Sequence, residues 1–334
     1  MTLLEAAKAD AKLADEAAAE LDALPDIADS VLSFEGLMAL EIPERKLLLP
    51  FLPQASNTMI YGPPGVGKTY FTLSLAISLS CGVPFMKWGM PSSPTGVLYI
   101  DGEMPLALMK TRLKDLHPGE TIAPLELLSH EHFFQMQETD LALCDDYVQS
   151  RIKVYLQSRE DIGCVIIDNL SCLLPTVRED KRDQWAQRVM PFLLWLRRRQ
   201  LATVMLHHSG KDATVQRGTS SRRDALDTEI RLQKIGEETE GAHFGVHFTK
   251  PRGLYGDDIT PFEARLTQDN PPTWACLPIV EGNMERLLTL VQEGIESVTE
   301  AAEELDLTKG AVSKIAKKLR NEGKLGPGPE LRLL

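Results

Sequence analysis

The sequence predicts an α/β fold: a mostly parallel sheet with helices on both faces, followed by a small C-terminal winged helix-turn-helix domain. Three observations carry that prediction. Four short, β-rich and nearly all-apolar runs, "NTMIYG" (57–62), "GVLYID" (96–101), "CVIID" (164–168) and "ATVMLH" (202–207), recur along the chain. Strands buried on both faces of a parallel sheet read this way, because helices cover both sides. Helical stretches, among them 68–80, 144–159 and 183–199, lie between these runs, and such alternation argues a three-layer domain. From about residue 284 the composition changes to short helices with a "GPGP" turn near the end.

The elements follow in order. Residues 1–24 are alanine-rich and acidic, a helix by propensity that ends near Pro25. Their apolar stripe is thin, so the segment reads either as a frayed terminal helix or as an arm that docks on a neighbouring subunit. Strands and helices alternate from about Ile42 to Val280. "DTEIRLQK" (227–234), "AHFGVHFTK" (242–250) and "FEARLTQ" (262–268) alternate apolar with polar residues, as antiparallel strands at a sheet edge do. The Pro-containing stretch "DNPPTWACLPIVEGN" marks a break close to Gly282. The expected division is an N-terminal helical arm over 1–24, an α/β core over 25–281 and a C-terminal module over 282–334.

In that module, Ser297 and Glu300 have the spacing of a capping box. Val298, Ala301, Ala302 and Leu305 give a first helix its apolar face, and Asp306 and Leu307 make a turn. Val312, Ile315, Ala316 and Leu319 repeat at helical spacing on a second helix, with Lys314, Lys317 and Lys318 opposite. "GKLGPGPELRLL" reads as a short hairpin, the wing. A second helix of this kind commonly enters a DNA major groove, although winged helices also serve protein contacts.

The totals bound the possibilities. The chain has 334 residues, 43% hydrophobic and 25% charged, room for one large domain and a small one. No apolar run reads as long enough to cross a bilayer, and the acidic N-terminus is unlike a secretory leader. Five scattered cysteines without a CxxC pair suit reduced thiols, so the expectation is a cytoplasmic protein with no membrane contact. A net charge of −12 disfavours coating nucleic acid with the whole surface and leaves room only for local basic patches.

"GPPGVGKT" lies directly after a strand and directly before a helix, the context of a phosphate-binding loop. Its residues are Gly62, Pro63, Pro64, Gly65, Val66, Gly67, Lys68 and Thr69. Backbone N–H groups of such a loop close around phosphate oxygens at the positive end of a helix. Lys68 should reach the β- and γ-phosphates of ATP, and the Thr69 hydroxyl should hold Mg²⁺. Asp168, at the end of "CVIID", suits the second anchor of the metal. "VLYIDGEMP" offers Asp101 and Glu103 to orient or deprotonate water. Glu103 is preferred, because Asp101 still continues its strand and ligands bind beyond the strand ends.

"VMLHHSGKD" places His207 and His208 where another buried strand runs out. The pair reads as metal ligands, as packing histidines, or, for His208, as a sensor of the γ-phosphate. His243 and His247 fall on one face of a later strand and read as packing residues. "GKDATVQRGTSSRRD" is long, polar and basic at Lys211, Arg217, Arg222 and Arg223. A second loop, "LLPTVREDKRDQ", carries Arg178, Lys181 and Arg182. Two basic loops leaving the edge that holds the nucleotide point to nucleic-acid contact, while their acids leave a merely solvated reading open.

Taken in order, "GPPGVGKT", "YIDGEMP", "VIIDNLSCLLP", "MLHHSGK", "RGTSSRRDALD" and "FTKPRG" resemble the RecA/DnaB-type ATPase core. The likeness covers about Ile42 to Thr267. It is most similar to the plasmid RepA-like hexameric replicative helicases, where a strand ends in a similar His-His-x-x-Lys; RadA-like and KaiC-like ATPases share much of the order. The resemblance implies a RecA-like P-loop core and a homo-oligomeric ring, most often a hexamer. It also implies ATP and Mg²⁺ between subunits and single-stranded DNA in the ring channel. Carried over, Glu103 activates water and His208 couples the γ-phosphate to a DNA loop. Lys250 and Arg252 of "KPR" complete a neighbour's site. Pro251 between those two, and Thr219 where a serine is usual, depart from the pattern. Lys250 and Arg252 are two apart on a strand and so share a face, with no flanking acid before Asp257. The expected function is an ATP-hydrolysing ring motor on DNA, a replicative helicase of a plasmid, phage or mobile element with duplex DNA at the winged helix. The alternatives are a RadA- or KaiC-like ATPase in recombination or signalling, and an ATP-switched DNA-binding regulator or helicase loader.

Overall fold

The computed structural model describes residues 27–42, 44–117, 119–175, 182–208, 223, 225–235 and 242–334, without the side chains of 182–184, 280 and 281. The arm expected over 1–24 and the loop residues Arg178, Lys181, Lys211, Arg217, Thr219 and Arg222 lie outside the described residues. The chain divides into two compact units, Met1–Glu44 and Arg45–Leu334. In the first, a 3-10 turn (Ile27–Ser30) precedes a short helix, α1 (Phe34–Ala39). Ser33 caps α1 by accepting a hydrogen bond from Gly36 N.

The second unit opens with a small antiparallel pair, β1 (Leu47–Leu49) and β2 (Leu52–Pro53). Strand β3 (Asn57–Gly62) then leads into α2 (Lys68–Cys81). Next come β4 (Gly96–Asp101), α3 (Leu106–Leu116), β5 (Leu125–Ser129), α4 (His130–Gln137) and α5 (Asp146–Gln157). They are followed by β6 (Ile162–Asp168), α6 (Leu170–Leu173), α7 (Arg182–Arg188), α8 (Met190–Arg198) and β7 (Ala202–His208). The helix expected over 183–199 is broken between α7 and α8, where Pro191 opens the second piece. Four further strands close the sheet: β8 (Thr228–Lys234), β9 (His243–Pro251), β10 (Phe262–Leu266) and β11 (Trp274–Pro278).

The strand order is β11-β10-β9-β8-β3-β7-β6-β4-β5. From β8 to β5 every pairing is parallel, and β9, β10 and β11 extend the sheet antiparallel. This is the mostly parallel α/β sheet, with helices packed on both faces, that the sequence predicts. One correction concerns β8, expected to be antiparallel at an edge. It lies inside the sheet and runs parallel to β3, its register aligning Ile60 with Ile230. Its alternation arises because Ile230 and Leu232 enter the core while Arg231 and Gln233 point to the other face.

Each face of the sheet has its own core. Ile60, Val97, Ile166 and Val204 pack with Phe71, Leu75 and Leu79 of α2 on one side. Met59, Ile100, Val165 and Met205 pack with Ile152 of α5 and Phe192 and Leu196 of α8 on the other. The stretch Lys68–Trp88 is long and apolar enough by composition to cross a membrane, contrary to the sequence expectation. Most of it is α2, whose apolar residues pack into the core of the domain, and 61% of the apolar window is buried.

Beyond β11, helices α9 (Ile279–Gln292), α10 (Val298–Glu304) and α11 (Lys309–Asn321) enclose a third core of Leu287, Ala301, Val312, Ala316 and Leu319. Leu325 and Leu331 close it, and one antiparallel bridge joins Leu325 to Leu333. Ser297 caps α10 from Thr299 N, and Thr308 caps α11 from Ala311 N. The compositional break at Gly282 falls inside α9, because β11 runs straight into that helix. Gly282 is where α9 meets β10: a Cβ there would stand 2.2 Å from Glu263 Oε2. Glu263 also lies 2.7 Å from His243 Nε2 and 3.6 Å from Arg286, tying β9, β10 and α9 together. His247, further along β9, is held down to about 4 by burial, with Arg231 adding to the effect, so at neutral pH it is an uncharged packing residue.

Candidate functional site

Parallel pairing brings the ends of four strands to one edge of the sheet. Gly62 of β3 is in register with His208 of β7, and Asp101 of β4 with Asp168 of β6. Ligands of open α/β sheets bind beyond such strand ends. Here the edge opens into a cavity of about 470 Å³. Pro64, Gly65, Gly67, Lys68 and Thr69 line it, together with Glu103, Asp168 and His208.

The loop is shaped by its glycines. Gly67 caps α2 with φ of 102°, a left-handed conformation that costs a side chain dearly. A Cβ there would also meet Ala242 Cβ at 2.7 Å. The loop thereby aims the first N–H groups of a 14-residue helix into the cavity. Lys68 is 8% exposed and its Nζ donates to the carbonyls of Gly62 (3.0 Å) and Pro63 (2.9 Å). Burial lowers it to about 8, against the pull of Asp168 and Glu103. It is therefore mostly charged at neutral pH but short of anionic partners, which suits a phosphate ligand.

Asp168 is 4% exposed and accepts hydrogen bonds from Tyr99 Oη at 2.7 Å and from Thr69. Burial raises it, and those two hydrogen bonds oppose the rise. The Thr69 hydroxyl and the Asp168 carboxylate thus face one another beside the loop. That donor pair fits Mg²⁺, a hard cation that takes few protein oxygens and completes its shell with phosphates and water. Among the described residues no group of three or more His, Cys, Asp or Glu side chains could hold a metal.

The two acids of "DGEM" do different things. Asp101 is 1% exposed, and its two oxygens accept from Met104 N at 3.2 and 3.1 Å. Burial raises it to about 7, with those backbone hydrogen bonds opposing. It holds the turn. The turn also needs Gly102, where a Cβ would meet Leu173 Cγ at 2.5 Å. Glu103 instead lines the cavity and accepts a hydrogen bond from Asn169 Nδ2. His207 is 1% exposed and turns away, 3.5 Å from Ser171 Oγ, while His208 lines the cavity 3.4 Å from Lys68 Nζ.

Three participants escaped sequence reading. Asn169 touches both Glu103 and His208. Arg112, on α3, sits over the Tyr70 ring at 4.7 Å, and both line the cavity. Its Nε is buried without a hydrogen-bond partner among the described residues, which suits a further group on a nucleotide. The available signal was the spacing "EMPLALMKTR", which puts Arg112 on the helix that follows Glu103.

Lys250 and Arg252 are not brought to this cavity. Lys250 pairs with Glu229, and Pro251 with Thr228, which aligns with Thr58 near the start of β3. They therefore stand toward the edge opposite the phosphate loop. The expectation of two same-face cations without an acid is corrected in two respects. β9 ends at Pro251, so Arg252 lies in the following turn. Asp227, from the approach to β8, stands 3.8 Å from Arg252, while Lys250 Nζ donates to Arg223 O. Arg223 itself pairs with Glu229 at 2.8 Å. Lys314, Lys317 and Lys318 are exposed along α11.

A family model described as the AAA domain matches residues 20–214 of the chain. Among solved structures, the chain is similar to a KaiC-like protein from the hyperthermophilic archaeon Pyrococcus horikoshii. That match has 11% identity and a TM-score of 0.49, covering 71% of this chain and 100% of that one. None of the curated proteins matches.

Proposed function

Since the chain belongs to the AAA domain family and is a P-loop ATPase, we propose that it is a ring-forming motor that spends ATP on DNA, a replicative helicase of a plasmid, phage or mobile element. The carrying observation is the convergence of Lys68, Thr69, Asp168, Glu103 and His208 on one cavity at the strand ends. Lys68 and the loop N–H groups receive the phosphates. Thr69 and Asp168 hold Mg²⁺, which offsets phosphate charge when bound. Glu103 orients the attacking water, and Arg112 with Tyr70 flanks the nucleotide. His208 contacts the γ-phosphate, and Lys211 and Arg217, which follow it in the sequence, contact DNA. Arg222 and Arg223 are further contacts for a single strand in the ring channel. The rate of hydrolysis with and without single-stranded DNA, at fixed low salt, tests the reading together with strand displacement on a forked duplex. Stimulation and displacement are expected; a rate indifferent to DNA would overturn it. His208→Ala is expected to bring the stimulated-to-basal ratio close to one, because the residue links the two ligands.

For the tail, the reading is a winged helix whose α11 meets duplex DNA. Lys314, Lys317 and Lys318 form one exposed face, while Glu300, Glu303 and Glu304 lie on α10. Replacing the three lysines with alanine is expected to weaken duplex binding across all sequences. The salt dependence should fall by roughly 0.9 per lost phosphate contact. An unchanged affinity in a filter-binding titration would assign the helix to a protein partner. The same module supports a second reading, an ATP-switched DNA-binding regulator or loader. Duplex binding that responds to ATP, without displacement, would select it.

A further inference from the structure

Asn169 is the residue next to Asp168, 1% exposed, and its amide is fixed on three sides. Its Oδ1 accepts from Cys172 N at 3.1 Å as the N-cap of α6. That cap decides the orientation of the amide, so both hydrogens of Nδ2 face the cavity. One is given to Glu103 Oε2. The other points at His208 Nε2, 3.5 Å away.

His208 is thereby flanked by two donors, Asn169 at Nε2 and Lys68 at Nδ1, the latter 3.4 Å away. A neutral imidazole has one acceptor nitrogen, so it can accept from one of the two at a time. Holding Lys68 leaves Nε2 protonated against the Asn169 amide. Releasing Lys68 toward a phosphate lets the proton sit on Nδ1 and lets Nε2 accept from Asn169.

We propose that Asn169 is a positioning residue that holds the Glu103 carboxylate and joins it to His208, so that the state of the Lys68–His208 contact reaches the group that orients water. This rests on the reading of Glu103 given above. Asn169 touches no reacting atom; it acts through Glu103, and its second contact makes the strand end at His208 part of the same hydrogen-bonded chain.

Two substitutions separate the relay from the cap. Asn169→Ser and Asn169→Asp both keep an N-cap oxygen for Cys172 N, and neither donates an amide hydrogen to Glu103. In steady-state hydrolysis by the full chain, each is expected to lower kcat about tenfold, the scale of one hydrogen bond to a charged group. KM for ATP should stay within about twofold, since the phosphate contacts are untouched. Glu103→Gln alone should lower kcat by ~100-fold. Adding Asn169→Ser to Glu103→Gln should cost nothing further, because contacts that act through one group are not additive. Wild-type kcat in both Asn169 variants, beside a slow Glu103→Gln, would overturn the relay and leave Glu103 in place. A tenfold loss that persists in the Glu103→Gln background would also overturn it. Full turnover by Glu103→Gln would remove the Glu103 reading itself and the relay with it.

Discussion

Lys68→Ala is expected to lower ATP hydrolysis by ~10³-fold or more while the protein stays folded, because a preorganised cation at developing phosphate charge is worth at least that much. The ammonium cannot be replaced from nearby. The next cation at the cavity is Arg112, on α3 and engaged with Tyr70. Within the folded chain Lys68 is an expense. It is held down to about 8 from the ordinary lysine value of 10.5, first by burial. Between those two values the unfolded chain binds more protons than the folded one, so stability rises with pH across that window. Below it the charged form carries its full burial cost. Lys68→Ala removes that dependence, so its melting temperature at pH 7 should equal or exceed that of the parent, and the rise from pH 8 to 10.5 should flatten. A catalytic loss accompanied by a lower melting temperature at pH 7 would mean that Lys68 serves the fold and not the phosphates.

The same residue shows what the sequence could disclose. The phosphate loop was legible because its glycines, lysine and threonine are contiguous and framed by a strand and a helix. β3 and β4 were legible to the residue, since both of their faces are covered by apolar side chains. β5 was not: it pairs on one side only, and "LELLS" carries Glu126 and is mostly half-buried. β8 misled because its second face is polar, so a buried parallel strand acquired the pattern of an edge strand. Asn169 was invisible as a site residue, because its partners Glu103 and His208 arrive from β4 and β7, which flank β6 in the sheet. Asp227 escaped for a similar reason. It stands 25 residues before Arg252 and meets it only because β8 and β9 pair back to back.

Arg252→Ala is expected to reduce hydrolysis about as far as Lys68→Ala does, and the two defects should complement one another in mixed assemblies. Pro251 aligns with Thr228, and Thr228 with Thr58, four residues before the phosphate loop begins at Gly62. At roughly 3.3 Å per residue that is about 13 Å along the sheet, away from the chain's own cavity. Arg252 is 58% exposed and its contact with Asp227 is long, so its guanidinium is only loosely held at home. Asp227 has better partners in Arg197 and Asn57 N, the latter at 2.9 Å. Arg252 is therefore expected to meet an anion on another molecule. A neighbouring subunit's γ-phosphate is the anion that the ring reading supplies, and a cation delivered there speeds transfer by ~10³-fold or more. Mixing Arg252→Ala chains with Lys68→Ala chains should restore part of the activity, because some interfaces then pair an intact loop with an intact arginine. Co-assembled mixtures that remain inactive, or a dilute monomer that hydrolyses ATP at the full rate, would show that Arg252 does not act between subunits.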